Sequence, residues 1–363
     1  MDITKIVITG GPCAGKSAAM SWIENAFTNL GYTVLLVHET ATELITGGVA
    51  PWTCGTVAEY QKCQLKLQLE KEKVFEKAAY TMEAEKVLIV CDRGTMDNKA
   101  YLSEAEFEDA MKLVGLNEVE LRDSYDAVFH LVSAAKGSEE FYTTRNNTAR
   151  RETAMEAAAI DDKLISAWAG HPHLRVIACA PAFEEKMKHL IDEIRFFLGE
   201  PEPLEIERKF LIEYPDIKWL ESNPFCKRVE ISQTYLESNA GAHIRIRQRG
   251  VDGSYIYIQT IKHKISDIKR IEVEKRLSRD EYTKLLTVTD KKYTISKNRY
   301  CLVHENQYFE LDVFPFWDDK AVLEIELTHE NADIVFPKEI KIIKEVSNDA
   351  SYNNSYLAKV MGQ

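Results

Sequence analysis

The octapeptide Gly10-Gly11-Pro12-Cys13-Ala14-Gly15-Lys16-Ser17, within "KIVITGGPCAGKSAAM", fits the spacing G-x-x-x-x-G-K-[ST] and sits between a β-branched run and a helical period. Residues of these types at this spacing handle the phosphates of a nucleotide. The glycines let the backbone curl so that amide N–H groups converge. Lys16 reaches the β- and γ-phosphates, Ser17 offers a hydroxyl to Mg²⁺, and the helix that follows adds positive potential. A turn that merely joined strand to helix would account for neither Lys16 nor Ser17.

Glu39 closes the second apolar run in "LLVHETAT", Asp92-Arg93 closes the third in "VLIVCDRGT", and Arg145, Arg150 and Arg151 lie in the polar segment "YTTRNNTARRE". The set resembles that of small-molecule kinases, in which a strand-end carboxylate orients the acceptor hydroxyl and lid arginines stabilise the transferring phosphoryl group. Glu39 and Asp92 are therefore candidate bases or Mg²⁺-water ligands, and Arg93, Arg145, Arg150 and Arg151 candidate phosphate contacts. Glu39 has a second reading as the cap of a helix starting at Thr40 or Ala41. Arg150-Arg151 has one as a solvated helix start, although positive charge there opposes the helix dipole. Tyr60, Gln64 and Gln68 read as a buried helix stripe or as the wall of an acceptor pocket.

A second pattern is made of side chains. In "LEIERKFLI" Glu205, Glu207 and Lys209 share one face of a strand, with Ile206 on the other. The alternation recurs in Arg245, Arg247 and Arg249; in Arg270, Glu272 and Glu274; in Glu310 and Asp312; and in Glu324 and Glu326. One such strand is an ordinary half-exposed strand, but here basic and acidic rows are segregated by strand. An antiparallel sheet closed into a barrel with its polar face inward makes a tunnel in which cations grip phosphate oxygens. Its carboxylates, Glu205, Glu207, Glu272, Glu274, Asp312, Glu324 and Glu326, are candidates to hold a divalent metal, as Ser17 and Asp92 are at the first site. The apolar outer face then needs cover, which amphipathic segments near Asp280–Leu286 and Ser351–Val360 are placed to give.

The elements that must position these groups change character once along the 363 residues, a length that suits two cores. "KIVIT", "YTVLLVHE", "KVLIVCD", "DAVFHLV" and "LRVIAC" are continuous runs of the kind buried on both faces of a parallel sheet. Helical periods over Lys16–Leu30, Val57–Glu83, Thr148–Ala169 and Ala182–Leu198 separate them. An α/β domain over 1–199, with helices on both faces of a parallel sheet, is the expectation. Gly199, Pro201 and Pro203 end the last helix, so 200–203 is read as a linker. From 204 to 363 the period becomes two, which predicts a second, β-rich domain.

Composition narrows the function classes. A net charge of −12 opposes broad attraction to nucleic acid while allowing a focused phosphate site. Seven scattered cysteines, with no Cys-x-x-Cys pair, argue against a zinc site and a disulfide framework. No window approaches the length of a membrane span, and the first strand begins near Ile3. A cytoplasmic protein is expected, with any membrane contact peripheral and non-covalent.

Glu205-x-Glu207-x-Lys209, followed by "TYLE", "RIRQR", "QTIK", "RIEVEK", "FELDVF", "LEIEL" and "KEVSNDASYNNSYLA", resembles the CYTH family of triphosphate tunnel metalloenzymes from Leu204 to about Lys359. The resemblance implies an α+β domain built on an eight-stranded antiparallel tunnel barrel that takes triphosphate-containing ligands. It further implies that Lys209, Arg245, Arg247, Lys262, Lys297, Arg299 and Lys344 bind phosphate. Glu205, Glu207, Glu324 and Glu326 would then bind Mg²⁺ or Mn²⁺ and activate water. "VITGGPCAGKS", "VHETATELITGG" and "CDRGTMD" resemble the P-loop domain of the TRPL translocation defect protein family, which is similar to nicotinamide-nucleoside kinases and also precedes a CYTH domain. That likeness implies ATP or GTP at the P-loop and admits a phosphoinositide headgroup as a ligand. Three functions stay open at this point: a metal-dependent triphosphatase with a P-loop kinase or NTPase, a nucleotide-regulated phosphate-binding trafficking protein, and a class IV-like adenylate cyclase.

Overall fold

The computed structural model describes residues 2–136, 153–200, 206–236, 243–264, 270–288, 292–327 and 332–361. It divides into a first unit, Met1–Glu205, and a second that takes in Ile206–His304 and Phe309–Gln363. Residues 201–203 of the expected linker lie outside the described residues. Among the described residues no helix is long and apolar enough to cross a membrane.

The first unit is a five-stranded parallel sheet in the order β2-β3-β1-β4-β5. Its strands are β1 (Asp2–Thr9), β2 (Thr33–Val37), β3 (Lys86–Asp92), β4 (Ala127–Leu131) and β5 (Leu174–Ile177). Helices α1 (Lys16–Thr28), α2 (Thr40–Thr46), α3 (Val57–Ala79), α4 (Glu104–Val114), α5 (Glu118–Arg122), α6 (Ala154–Trp168) and α7 (Phe183–Leu198) lie between and after them. Ile6, Ile8, Leu88, Val90, Phe129 and Leu131 form one face of the sheet and pack with Ile23 and Phe27 of α1 and with Met187, Leu190 and Ile194 of α7. The other face carries Lys5, whose Nζ reaches Glu72 on α3 at 3.3 Å. Helix α4 was not among the predicted helices, although a reciprocal capping box (Ser103 with Glu106) and a left-handed Gly115 mark its two ends.

In the second unit the strands are β6 (Ile206–Glu213), β7 (Cys226–Leu236), β8 (His243–Val251), β9 (Ser254–Lys264), β10 (Arg270–Leu277), β11 (Lys292–His304), β12 (Gln307–Val313), β13 (Lys320–Leu327) and β14 (Ile342–Glu345). Three helices accompany them: α8 (Ile217–Ser222), α9 (Arg279–Val288) and α10 (Asn354–Met361). The order is β10-β9-β8-β7-β11-β12-β13-β6-β14. This corrects the expected closed, eight-stranded barrel: among the described residues the sheet has nine strands and is open, with β10 and β14 as its edges. The physical reason lies in β14. It is four residues long and slips register between Ile342 and Lys344, so it offers too short and irregular an edge to close onto the eight residues of β10.

Strand alternation sorts the second unit into two faces. Phe210, Ile212, Tyr300, Leu302, Phe309, Leu311, Leu323 and Ile325 gather on one, under Leu220 of α8 and the partly buried Ile334 and Phe336. Lys209, Lys297, Arg299, Glu310, Asp312 and Glu324 occupy the other. The expected helical cover is only half as anticipated. Helix α9 packs Tyr282 and Leu285 on the apolar residues Ile244, Ile246 and Tyr257. By contrast, α10 joins Ile295, Tyr293 and Tyr235, which share the parity of Lys297 and Arg299, so it lies against the charged side.

Gly94, directly after Arg93, allows β3 to approach α6. A Cβ there would stand 2.5 Å from Trp168 Cζ2, 2.7 Å from its Cη2 and 2.9 Å from Val7 Cγ2. The fully buried indole has no room to withdraw. Gly94→Ala is expected to destabilise the first unit by about 1–3 kcal/mol, the usual cost of overpacking, read as a lowered urea midpoint with an unchanged slope.

Candidate functional site

In the first unit the P-loop turns from β1 into α1, whose N-cap is the left-handed Gly15 and whose first turn holds no acidic residue. Lys16 folds back on the loop, with Nζ donating to the carbonyls of Gly10 at 2.8 Å and Gly11 at 3.0 Å. Burial, then the neighbouring Arg93, lower the Lys16 pKa to about 8 against the pull of Asp92, Glu39 and Asp97. Pro12, Cys13, Ala14 and Gly15 complete the turn, and Ser17 stands exposed at the start of α1.

Around this loop the register of β1 with β3 sets Asp92 beside Ile8. Asp92 Oδ1 is buried without a hydrogen-bond partner, and burial raises its pKa. A buried carboxylate oxygen left unpaired at the end of a strand beside a P-loop fits a metal or metal-water ligand. Arg93, at φ 75°, donates from Nε to Glu39 and from Nη1 to Asp97 at 3.3 Å. Glu39 occupies the N-cap position of α2 but makes no side-chain cap. It accepts instead from Thr42 Oγ1 at 2.5 Å. Burial alone would raise its pKa; Arg93, Thr42 and Lys16 outweigh that and hold it at about 2. Tyr60, Gln64 and Gln68 are buried along α3. Arg145, Arg150 and Arg151 lie outside the described residues.

Two carboxylates that the sequence reading missed organise this site. Asp97 is buried and accepts from Thr9 Oγ1 at 2.8 Å and from Trp168 Nε1 at 2.7 Å. Asp161, wholly buried, accepts from the Gly11 amide at 2.8 Å and the Ser133 amide at 3.2 Å. It also meets His130 Nε2 at 3.1 Å and Lys136 Nζ at 3.1 Å. A Cβ on Gly11 would fall 2.9 Å from the Asp161 carboxylate, so Gly11 must be glycine for the two to meet. Lys186, its pKa lowered by burial, ties Ala14 O at 2.9 Å to Val132 O at 2.6 Å. The available signal was chemical: a charged residue within the apolar stripe of a helix needs a buried partner.

In the second unit the candidate cations and carboxylates converge on the charged face. Glu324 lies opposite Lys209 on β6 and opposite Glu310 on β12. Its Oε1 is 2.9 Å from Lys209 Nζ and its Oε2 is 2.8 Å from Arg299 Nη2. Arg299 also donates to Glu310 and, from Nε and Nη2, to the two oxygens of Asp312 at 2.6 Å each. Lys297 donates to Asp312 and to Asn354 Oδ1 at 3.2 Å. Arg245 donates to Thr260 at 3.1 Å, and Arg247 to Gln233 Oε1 at 3.2 Å. Lys344 pairs with Leu211, which places it on the same face at the exposed β14 edge.

Glu207 stands directly opposite Glu326, 3.8 Å from Lys209 Nζ. Burial within the face, then the Glu324 charge, push its pKa up, while burial's effect on Glu324 is outweighed by Arg299, Lys297 and Lys209, which hold it down. Among the described residues no three His, Cys, Asp or Glu side chains are grouped to hold a metal. Glu205 lies outside the described residues. Lys262, Glu272 and Glu274 are described by backbone register alone, with Glu272 opposite Lys262 and Glu274 opposite Thr260.

Comparison with known proteins identifies both halves. The AAA domain family matches residues 5–186 and the CYTH domain family residues 203–359. An inorganic triphosphatase of Acetivibrio thermocellus is 33% identical over 156 residues, which span 43% of this chain and 93% of that protein. Among solved structures, the inorganic triphosphatase NE1496 is 29% identical over 42% of this chain and 93% of its own, with a TM-score of 0.30. The PH1012 protein from Pyrococcus horikoshii OT3 is 21% identical over 35% of this chain and 81% of its own, with a TM-score of 0.26.

Replacing Asp161 by asparagine removes the charge that two amides, His130 and Lys136 face, and is expected to cost roughly 2–4 kcal/mol at neutral pH. Burial would raise the Asp161 pKa, but His130, Lys136 and the Gly11 amide hold it far below the ordinary value. Its stabilisation is therefore full above the unfolded value and lost as pH falls below roughly 4. Denaturation of wild type and Asp161→Asn across pH should show the gap between them narrowing with acidity.

Proposed function

Since this chain belongs to the CYTH domain family over residues 203–359 and carries an AAA domain over 5–186, we propose that its charged face binds and hydrolyses inorganic triphosphate or a triphosphorylated compound, while its P-loop binds Mg-nucleotide. One observation carries the first part: the half-exposed Glu207 lies 3.8 Å from Lys209 on the face where Glu324 meets Lys209 and Arg299, and the Glu324 charge bears on it. Like charges repel. A divalent cation brought in with the polyphosphate offsets the repulsion between Glu207 and Glu324, so Mg²⁺ or Mn²⁺ is the proposed cofactor, with Glu207, Glu324, Glu326 and Glu205 as the candidate carboxylates that the ligand and its ion would draw together. The inorganic triphosphatase of Acetivibrio thermocellus, aligned over 93% of its length, supports the same substrate class.

A bound divalent ion supplies Lewis-acid polarisation of a phosphoryl oxygen and an easily ionised water. The side chains do the rest. Arg245, Arg247, Lys209, Lys297 and Arg299 bind the polyanion, and phosphate oxygens take over contacts that Lys209 and Arg299 make with Glu324. Glu207, half-exposed on the same face, is the carboxylate placed to hold the ion or to take the proton of the attacking water. In the first unit, Asp92 and Ser17 are the metal ligands and Lys16 the phosphate contact. Glu39 and Arg93 form a fixed pair beside it.

Tripolyphosphate should release phosphate with Mg²⁺ or Mn²⁺ at a rate untouched by Lys16→Ala and lowered about a hundredfold or more by Glu207→Gln. No cleavage of tripolyphosphate, thiamine triphosphate or any NTP, together with phosphoinositide-headgroup binding that Arg247→Ala abolishes, would instead establish a non-hydrolytic binding role. Nucleotide affinity should also report Lys16. Bound phosphate restores the charge that burial disfavours, so affinity is level below the free value of about 8 and falls above it, by up to about tenfold per pH unit. A flat profile from pH 7 to pH 10, measured with fluorescent ATP and GTP analogues, would remove Lys16 from the site.

A further inference from the structure

Asp312 shares a face with the metal carboxylates, yet its surroundings differ from those of Glu207 and, in the two-pronged grip of one guanidinium, from those of Glu324. It is fully buried. Both of its oxygens are taken by the Arg299 fork, Oδ1 by Nε and Oδ2 by Nη2 at 2.6 Å each, and Lys297 adds a third donor to Oδ2. A bidentate guanidinium–carboxylate pair fixes the plane as well as the position of the arginine. Glu207, in contrast, has a half-exposed side chain 3.8 Å from its nearest described cation, Lys209. Arg299 Nη2 is only 2.8 Å from Glu324 Oε2, so an Arg299 without Asp312 would have Glu324 and Glu310 as its remaining anchors and would cover the carboxylate assigned to the metal.

We propose that Asp312 is a positioning residue and not a metal ligand: it clamps Lys297 and Arg299 from behind so that they present their remaining N–H groups to the oxygens of a polyphosphate. The proposal rests on the triphosphate reading above. It assigns to one buried carboxylate the orientation of two of the cations that bind the substrate, and it leaves metal binding to the other carboxylates of that face.

The test uses the full chain, tripolyphosphate and Mn²⁺, and compares Asp312→Asn with Glu326→Gln. Asp312→Asn should raise KM about tenfold or more while leaving half-activating Mn²⁺ within about twofold of wild type, whereas Glu326→Gln should shift half-activating Mn²⁺ about 10–100-fold. Calorimetric titration of tripolyphosphate in EDTA reads the clamp without catalysis, and there Asp312→Asn should weaken binding as much as it raises KM. A Mn²⁺ shift in Asp312→Asn like that of Glu326→Gln, or an unchanged KM and EDTA affinity, would overturn the proposal. Wild-type binding without cleavage would defeat the triphosphatase reading alone, because the EDTA comparison still decides the clamp; wild-type binding of no tripolyphosphate would defeat both. If Asp312→Asn does not fold, Asp312→Glu keeps the charge but displaces it by one methylene, and must raise KM with Mn²⁺ activation unchanged.

Discussion

A buried guanidinium among carboxylates sets the terms for the second unit. Arg299 reaches Asp312, Glu310 and Glu324 from one side chain, and Lys209 meets Glu324 from the opposite strand. Charges removed from water are tolerated only when paired and hydrogen-bonded, so the buried Lys209, Lys297 and Arg299 each meet an acid at a fixed register position. Because the alternation of a strand is strict, committing one face to charge commits the other to apolar residues. Those residues then need cover from α8 and the segment carrying Ile334 and Phe336.

The first unit, on the proposed reading, meets the same ligand chemistry by the opposite means. The groups proposed to bind an anion there are largely backbone amides at the start of α1, which carry no net charge and need no counter-ion. What they need is rigidity. Asp161 and Ser133 hold the loop through Gly11 and Pro12, Lys186 holds it through Ala14, and Lys16 rests on the carbonyls of Gly10 and Gly11. One chain therefore contains an amide cradle suited to the end of a nucleotide and a side-chain face suited to a polyanion with its metal. The two differ in how the empty site is stabilised, by hydrogen bonds in one and by internal ion pairs in the other.

Departures from expectation have local causes. Among the described residues the sheet is open, with the short and bulged β14 at one edge, and α10 lies on the charged side because Ile295, Tyr293 and Tyr235 continue that face as an apolar patch beyond Lys297. A helix there brings Asn354 to Lys297, so a C-terminal element contributes to the charged face itself.

The sequence by itself determined the two cores, the P-loop and the parity of the charged rows. Each of these depends on chemistry or spacing within a few residues: glycine and lysine at fixed offsets, continuous apolar runs, and a period of two that places Lys209, Arg299 and Glu324 on one face before any strand is paired. Which charges meet was beyond it. Asp161 lies far along the chain from Gly11, Asp97 reaches Trp168, and the choice of Asp312 as the partner of both Lys297 and Arg299 depends on how β11 lies beside β12. A carboxylate in an alternating row looks the same whether it will hold a metal or a guanidinium. Only the tertiary structure, by burying Asp312 and leaving Glu207 half-exposed opposite Glu326, separates the two, because burial forces a charge to find a partner within the protein while an exposed charge remains free to take one from solution.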